Sequence, residues 1–247
     1  MDQRVFKALH LPHGAVVCSG CHLRDICLPV GLNKAELDQV DQRLVTVRHK
    51  VPRGEKLFQA GDRFEAIYAV WTGYFKTCVS SKDGREQVTG FQMGGELIGL
   101  DGIGTRRHEV DAVALEDSQV CVIPYTEFEA LSHEINSLQQ QFHRMMSREI
   151  VRNHGVMLLL GSMHAEERLA AFLLNLTKRL QTRGFSPSAI VLRMSREEIG
   201  SYLGLKLETV SRTFSRFQAN GLLFVRHRQI QVTDPVGLQH LLDGETV

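Results

Sequence analysis

No stretch of this 247-residue chain approaches the roughly 18 consecutive apolar residues that cross a bilayer. The longest, around Val156 to Leu160, is far shorter, and no membrane partner is expected. The opening Met1-Asp2-Gln3-Arg4 carries no signal-peptide pattern, so the cytoplasm is the expected compartment. Internal repeats and low-complexity tracts are missing, and 43% hydrophobic with 23% charged residues excludes a disordered or fibrous chain. Catalytic signatures are missing too. There is no Gly-x4-Gly-Lys-Ser/Thr, no His-Glu-x2-His and no Gly-x-Ser-x-Gly, and Gly102-x-Gly104 fails the dinucleotide pattern because Arg107 holds the third position. His133 and His143 read as helix-surface residues, so no enzyme is expected. Cysteine is scarce at five residues, and the odd count in a reducing compartment speaks against a disulfide framework and for metal or redox chemistry.

Net charge is almost absent as well, at +1, but it is unevenly spread. Residues 1–163 carry 18 basic against 20 acidic side chains, and residues 164–247 carry 11 against 8. Between 193 and 228, seven basic residues face only Glu197, Glu198 and Glu208, a balance suited to a phosphate-facing surface or to an ordinary solvated face.

Along the chain, residues 1–30 form a cysteine-bearing leader. Asn33 and Glu36 have the spacing of a capping box for a short helix over 33–42. From Leu44 to about Ile123, short apolar stretches alternate with glycine-bearing turns, which predicts an antiparallel sandwich or roll; the β domain is bounded at 31–124. After Pro124 the period becomes helical. Leu138, Phe142, Met146, Ile150, Met157 and Leu160 form one apolar stripe on a helix of about 25 residues, roughly 37 Å long. A stripe that outruns a small β domain calls for a partner helix, so 125–163 is assigned to dimerisation, with Phe142, Met146, Ile150 and Met157 as the interface. Arg152, Asn153 and His154 interrupt the stripe and are expected to weaken it.

Residues 164–247 begin with an amphipathic helix, Ala165 to Leu180, followed by a short strand near Ile190. Residues 196–216 have helix-turn-helix spacing: Ser195 and Glu198 as a capping box, Ile199, Leu203 and Val210 inward, Gly200 for close approach and Gly204 for a left-handed turn. Glu208, Ser211 and Arg212 then share one helix face, where Arg212 can fork onto guanine and Glu208 can accept from cytosine. Lys206 and Arg216 are assigned to phosphates, and Leu222–Val232, with Arg226-His227-Arg228 at its turn, reads as a basic wing. Thr213 departs from the pattern, since an apolar residue is usual there.

Cys18-x2-Cys21-x5-Cys27 places three soft ligands within ten residues, suited to an iron–sulfur cluster or to zinc, and either needs a fourth. Cys121 and Cys78 are the candidates, with His22 or His13 possible for zinc; Cys78, in a strand, also reads as a small core residue.

The Cys18/Cys21/Cys27 leader, VPRGEKLFQAGD at 51–62, Cys121 before Pro124, AEERLAAFLLNL at 165–176 and GSYLGLKLETVSRTFSRFQ at 200–218 together resemble the CRP/FNR superfamily of transcription regulators. The resemblance runs end to end and is nearest to the oxygen-sensing branch. It implies an α+β chain with a cyclic-nucleotide-binding-type β-roll, a long dimerisation helix and a C-terminal winged helix-turn-helix. It further implies a [4Fe–4S] cluster on Cys18, Cys21, Cys27 and Cys121, and a cluster-loaded homodimer activating anaerobic genes at TTGAT-N4-ATCAA-type inverted repeats of double-stranded DNA. RNA polymerase contacts through the Ser80–Arg85 turn are also implied. Cyclic-nucleotide binders of the superfamily carry an Arg-Ser/Thr pair a short distance after a Gly-Glu. Here Gly95-Glu96 is present, but the later stretch reads Glu109-Val110-Asp111-Ala112, and Arg106 and Arg107 fall too early. An Asp there repels a phosphate, so no cyclic nucleotide is expected.

Overall fold

The computed structural model describes residues 17–44, 47–81, 84 and 86–243. His13 and three residues of the 80–85 turn (Lys82, Asp83 and Arg85) lie outside them.

The leader from Cys18 to Leu32 is a chain of tight turns: the Cys21, Arg24 and Val30 amides donate to the carbonyls of Cys18, Cys21 and Cys27 at 3.1, 3.1 and 3.3 Å. Leu23 and Leu28 bury themselves and anchor it. Helix α1 (Lys34–Arg43) begins at the expected capping box, with Asn33 and Glu36 exchanging hydrogen bonds of 2.8 and 3.0 Å.

Eight strands follow: β1 (Val47–Val51), β2 (Lys56–Phe58), β3 (Ala66–Thr72), β4 (Tyr74–Ser80), β5 (Glu86–Met93), β6 (Leu97–Ile98), β7 (Asp111–Ala114) and β8 (Ser118–Pro124). They form two antiparallel four-stranded sheets, ordered β1-β8-β3-β6 and β2-β7-β4-β5, the roll that the turn spacing predicts. Phe75, Val70, Ile98 and Val120 fill the space between them. At Gly73, φ is +91° and an added Cβ would sit 2.0 Å from the Ser118 hydroxyl, so the β3–β4 turn admits only glycine.

The segment 125–163 contains two helices rather than one. Helix α2 (Tyr125–Glu134) ends at Ile135, whose extended φ and ψ turn the chain into α3 (Asn136–Ser162, 27 residues). Phe128, Leu131, Leu138 and Phe142 bury the junction against the β1-containing sheet and α1.

The C-terminal part comprises α4 (Ala165–Gln181), β9 (Ala189–Val191), α5 (Arg196–Leu203), α6 (Leu207–Ala219), β10 (Leu223–Arg226), β11 (Gln229–Val232) and α7 (Pro235–Leu242). Its core does not stop at its own boundary. Val88, Phe91 and Met93 of β5 join Leu169, Phe172, Ile199 and Phe217 in one buried cluster, and Phe91 meets Tyr202 at 5.2 Å between ring centroids. Among the described residues, no helix is long and apolar enough to cross a membrane.

Candidate metal centre and nucleic-acid interface

The capping box of α5 forms as its sequence dictates. The Glu198 amide donates to Ser195 Oγ at 3.1 Å, and the Ser195 amide donates to the Glu198 carboxylate at 2.7 Å. Gly204 takes the left-handed conformation, φ +63°, that ends α5 and releases the chain towards α6. At Gly200, an added Cβ would lie 2.6 Å from the Leu205 carbonyl oxygen, which is why the two helices can cross so closely. Val210, Phe214 and Phe217 are buried beneath α6. Thr213 is buried too, and its hydroxyl donates to the Thr209 carbonyl at 2.9 Å, so a polar residue occupies this core position without an unpaired group.

With that face inward, the opposite face of α6 presents Glu208, Ser211 and Arg212 to solvent, three and four residues apart on one side. Lys206 is also exposed, immediately before the helix. Arg216 is exposed but ion-paired with Glu166 of α4. Beside them, Arg196 stacks on the Phe214 ring with its guanidinium carbon 3.3 Å from the centroid, and burial pushes its pKa down to about 10. Strands β10 and β11 make the wing as a hairpin, with β9 on the far side of β11 and His227 at φ +55° in its turn.

Three leader cysteines and Cys121 meet against the β1-containing sheet. Cys18, Cys21, Cys27 and Cys121 line one cavity, with Leu28 and Trp71 among its walls. Cys121 comes from the middle of β8, held between β1 and β3, opposite Arg48 on one side and Ala69 on the other. Asp41 of α1 ties down the leader, accepting from the Cys18 amide and, at 2.6 Å, from the Ser19 hydroxyl. Gln141 of α3, almost fully buried, donates from Nε2 to the Cys27 carbonyl at 3.4 Å.

Burial sets the acid strength of these thiols. It raises the pKa of Cys18, with the neighbouring Cys27, Asp41 and Cys121 adding to the rise. Burial pushes Cys27 up to about 12, partly offset by the Leu28 amide. For Cys121 burial again dominates, opposed by the neighbouring Arg48 guanidinium. Thiolates in such a place need a metal's positive charge, and four sulfur donors in an apolar cavity have the softness that iron or zinc prefers. Among the described residues, no group of three or more His, Cys, Asp or Glu side chains is arranged to hold a metal ion as the chain stands. Cys78 lies elsewhere, buried in β4, with its sulfur 4.0 Å from the Asp111 carbonyl; it lines no part of the cavity. His22 packs edge-on against Trp71, with 6.1 Å between ring centroids.

The expected dimer stripe divides in two. Phe142 is 7% exposed and meets Phe128 at 4.6 Å between centroids, and Met146 packs on the same core, so both already have intrachain neighbours. Ile150 and Met157 stand 52% and 61% exposed, beside exposed Val151 and Leu158. Arg152 does not simply interrupt this stripe: it turns back onto its own protomer, 3.6 Å from Glu96 and paired with Glu149.

Sequence reasoning missed Glu96 as a domain link. Burial works to raise its pKa, but Arg179, Arg152 and Arg183 outweigh it and hold the carboxyl below the usual carboxylate range. It missed Asp41 and Gln141 as well. Their leader partners, the Cys18 amide and Ser19 hydroxyl for Asp41 and the Cys27 carbonyl for Gln141, lie more than twenty residues away in sequence, where local spacing carries no signal.

A winged helix-turn-helix with an exposed polar face, joined to a β-roll and a long helix, defines a DNA-binding transcription regulator. Residues 48–134 match the cyclic nucleotide-binding domain, and residues 167–241 match the Crp-like helix-turn-helix domain. The chain is 48% identical to the transcriptional regulatory protein Btr of Bordetella pertussis over 97% of this chain and 99% of that protein. It is 40% identical to the fumarate and nitrate reduction regulatory protein of Escherichia coli, over 97% and 96% of the two chains. The structure of FixK2 from Bradyrhizobium japonicum superposes with a TM-score of 0.73 at 30% identity, covering 81% of this chain and 98% of that one. This chain belongs to the CRP/FNR family of transcription regulators. Its relatives regulate transcription and are not enzymes.

Proposed function

We propose that this chain is an oxygen-responsive activator of anaerobic genes. It would hold a [4Fe–4S] cluster on Cys18, Cys21, Cys27 and Cys121 and bind TTGAT-N4-ATCAA-type inverted repeats as a cytoplasmic homodimer. One observation carries the reading: four thiols from two distant segments line a single cavity whose floor continues into the core beneath α3. When bound, the cluster supplies an oxygen-labile cross-link between leader and β-roll.

The chain's own groups do the rest. Asp41 fixes the leader to α1, and Gln141 ties Cys27 to α3, so the order of the leader and the position of α3 are linked. The exposed part of α3, with Ile150 and Met157, then meets a second copy; Phe142 and Met146 support it from within. A two-state element biased on one side is sufficient for such a switch. The dimer would set two α6 helices about one DNA turn, roughly 34–36 Å, apart. Glu208, Ser211 and Arg212 read bases while Lys206, and Arg216 once released from Glu166, hold phosphates. RNA polymerase would be contacted at the 80–85 turn.

Cyclic nucleotides have no part in this reading. Asp111 pairs with Lys56 at 2.7 Å and accepts from the Ala60 amide at 2.8 Å, while Glu96 is engaged by arginines. Calorimetry with cyclic AMP is expected to show no tight binding.

The decisive experiment is anaerobic purification, with the visible spectrum and iron and sulfide content taken before and after air. About four irons per chain, lost in air, are expected. Cys121→Ser should abolish loading and Cys78→Ser should keep it. A colourless protein holding zinc, or no metal, overturns the sensing part and leaves DNA binding standing.

A further inference from the structure

Cys121 has a charged neighbour that neither its sequence position nor the cluster motif requires. Arg48 of β1 stands directly opposite Cys121 in the antiparallel β1–β8 ladder, where side chains on paired strands lie about 5 Å apart at Cβ. On the other flank, the β3–β8 register shifts between Val70 and Thr72, leaving Trp71 at a bulge. A bulge re-aims its side chain, and Trp71 here lines the cysteine cavity. The two side chains meet: the Arg48 guanidinium carbon is 3.7 Å from the Trp71 ring centroid. The stack fixes the guanidinium and shields it from water.

Two donors at this point have no partner among the described residues. Arg48 Nε and Trp71 Nε1 are both buried, and neither atom makes a hydrogen bond to any of them. An unpaired buried donor is costly, and two together beside a sulfur ligand call for an acceptor. The charge balance asks for the same thing. A [4Fe–4S]2+ core with four thiolates is net negative, and Asp41 beside Cys18 adds to that. Arg24, which also lines the cavity, is already engaged by Asp25 at 3.5 Å and the Ser19 carbonyl at 3.4 Å.

We propose that Arg48, clamped over Trp71, is a positioning residue that donates to the Cys121 sulfur and offsets the negative charge of the bound cluster, setting how long that cluster survives air. This rests on the cluster reading above. A fixed cation beside the cluster favours its more negative, reduced state; removing that cation favours oxidation.

The test compares anaerobically loaded wild type with R48M, R48K, W71L and K50M, reading iron content, the rate at which air bleaches the visible band, and the anaerobic midpoint potential. Lys50 lies two residues along β1 and is exposed, so K50M controls for charge in general. R48M is expected to bleach roughly tenfold faster, the rate equivalent of one charge-assisted hydrogen bond, with a lowered midpoint potential. R48K should fall between, since lysine keeps the charge but lacks the planar fork. W71L should shift in the same direction by less, and K50M should match wild type. Should R48M fail to load, R48K and W71L decide the matter. Bleaching at the wild-type rate in the loaded variants, or an equal effect from K50M, overturns the role of Arg48 while the cluster stands. A wild type without iron and sulfide overturns the cluster itself and this inference with it.

Discussion

Glu96 of the β-roll and Arg179 of α4 are joined by two hydrogen bonds, from Nε at 3.0 Å and from Nη2 at 2.6 Å. Arg183 adds a third at 2.8 Å, and the Arg179 guanidinium also reaches the Phe91 carbonyl at 2.6 Å. This largely buried carboxylate thus ties α4 to the β-roll, beside the apolar cluster that β5 shares with the C-terminal part. Around it, Lys76 pairs with Glu198 at 3.2 Å, and the Val88 amide donates to Ser201 Oγ at 2.8 Å.

Glu96→Gln should loosen this junction, because three arginines would then surround a neutral amide. Breaking a buried pair from one side costs about 3–5 kcal/mol. The expected outcome is a lower midpoint in denaturant and separation of the two domains' transitions. Its pH dependence has a definite sign. The folded-state carboxyl lies below its usual 4.5, so its stabilisation is complete above that pH and fades as pH falls through the lowered value. In Glu96→Gln that acid-side loss should be smaller.

Phe142→Ala and Ile150→Glu should separate folding from association. Phe142 is packed inside the protomer, so its truncation should cost about 3–5 kcal/mol in thermal or chemical denaturation. Ile150 is half exposed, so a glutamate there should leave protomer stability within about 0.5 kcal/mol and abolish dimers in sedimentation. Equal dimerisation by Ile150→Glu and wild type would sink the assignment of this face.

Two glycines should respond in opposite directions. A methyl at Gly200 would meet the Leu205 carbonyl oxygen at 2.6 Å, so Gly200→Ala should destabilise the helix-turn-helix by about 1–3 kcal/mol and weaken DNA binding. Gly155, within α3, has none of the described residues within 4 Å of such a methyl. Gly155→Ala should therefore stabilise the protomer by about 0.5–1 kcal/mol, read by thermal denaturation.

Arg212→Met and Lys206→Met should differ in kind. Losing a base-reading fork costs about 1–3 kcal/mol on the preferred half-site and relaxes the choice of base there. Losing a phosphate contact weakens all sequences alike and lowers the salt slope by about one. Titrations of matched and mismatched repeats at several salt concentrations distinguish the two.

Local patterns decided much of this protein. The capping boxes at Asn33 and Ser195, the turn at Gly204, the exposed polar face of α6 and the alternation of short strands all follow from residues a few positions apart, where backbone geometry alone fixes who meets whom. The three leader cysteines were legible for the same reason. Tertiary structure decided the rest, because the deciding partners are far apart in sequence and several are backbone atoms. Cys121 reaches the leader only because β8 runs between β1 and β3; spacing alone left it level with Cys78, which the roll buries beside Asp111. The apolar stripe of α3 looked continuous, but only packing on the β-roll shows that Phe142 is already covered and Ile150 is not. Glu96 likewise gained its role from arginines more than fifty residues away, brought close by the burial of Phe91 against Phe172 and Tyr202.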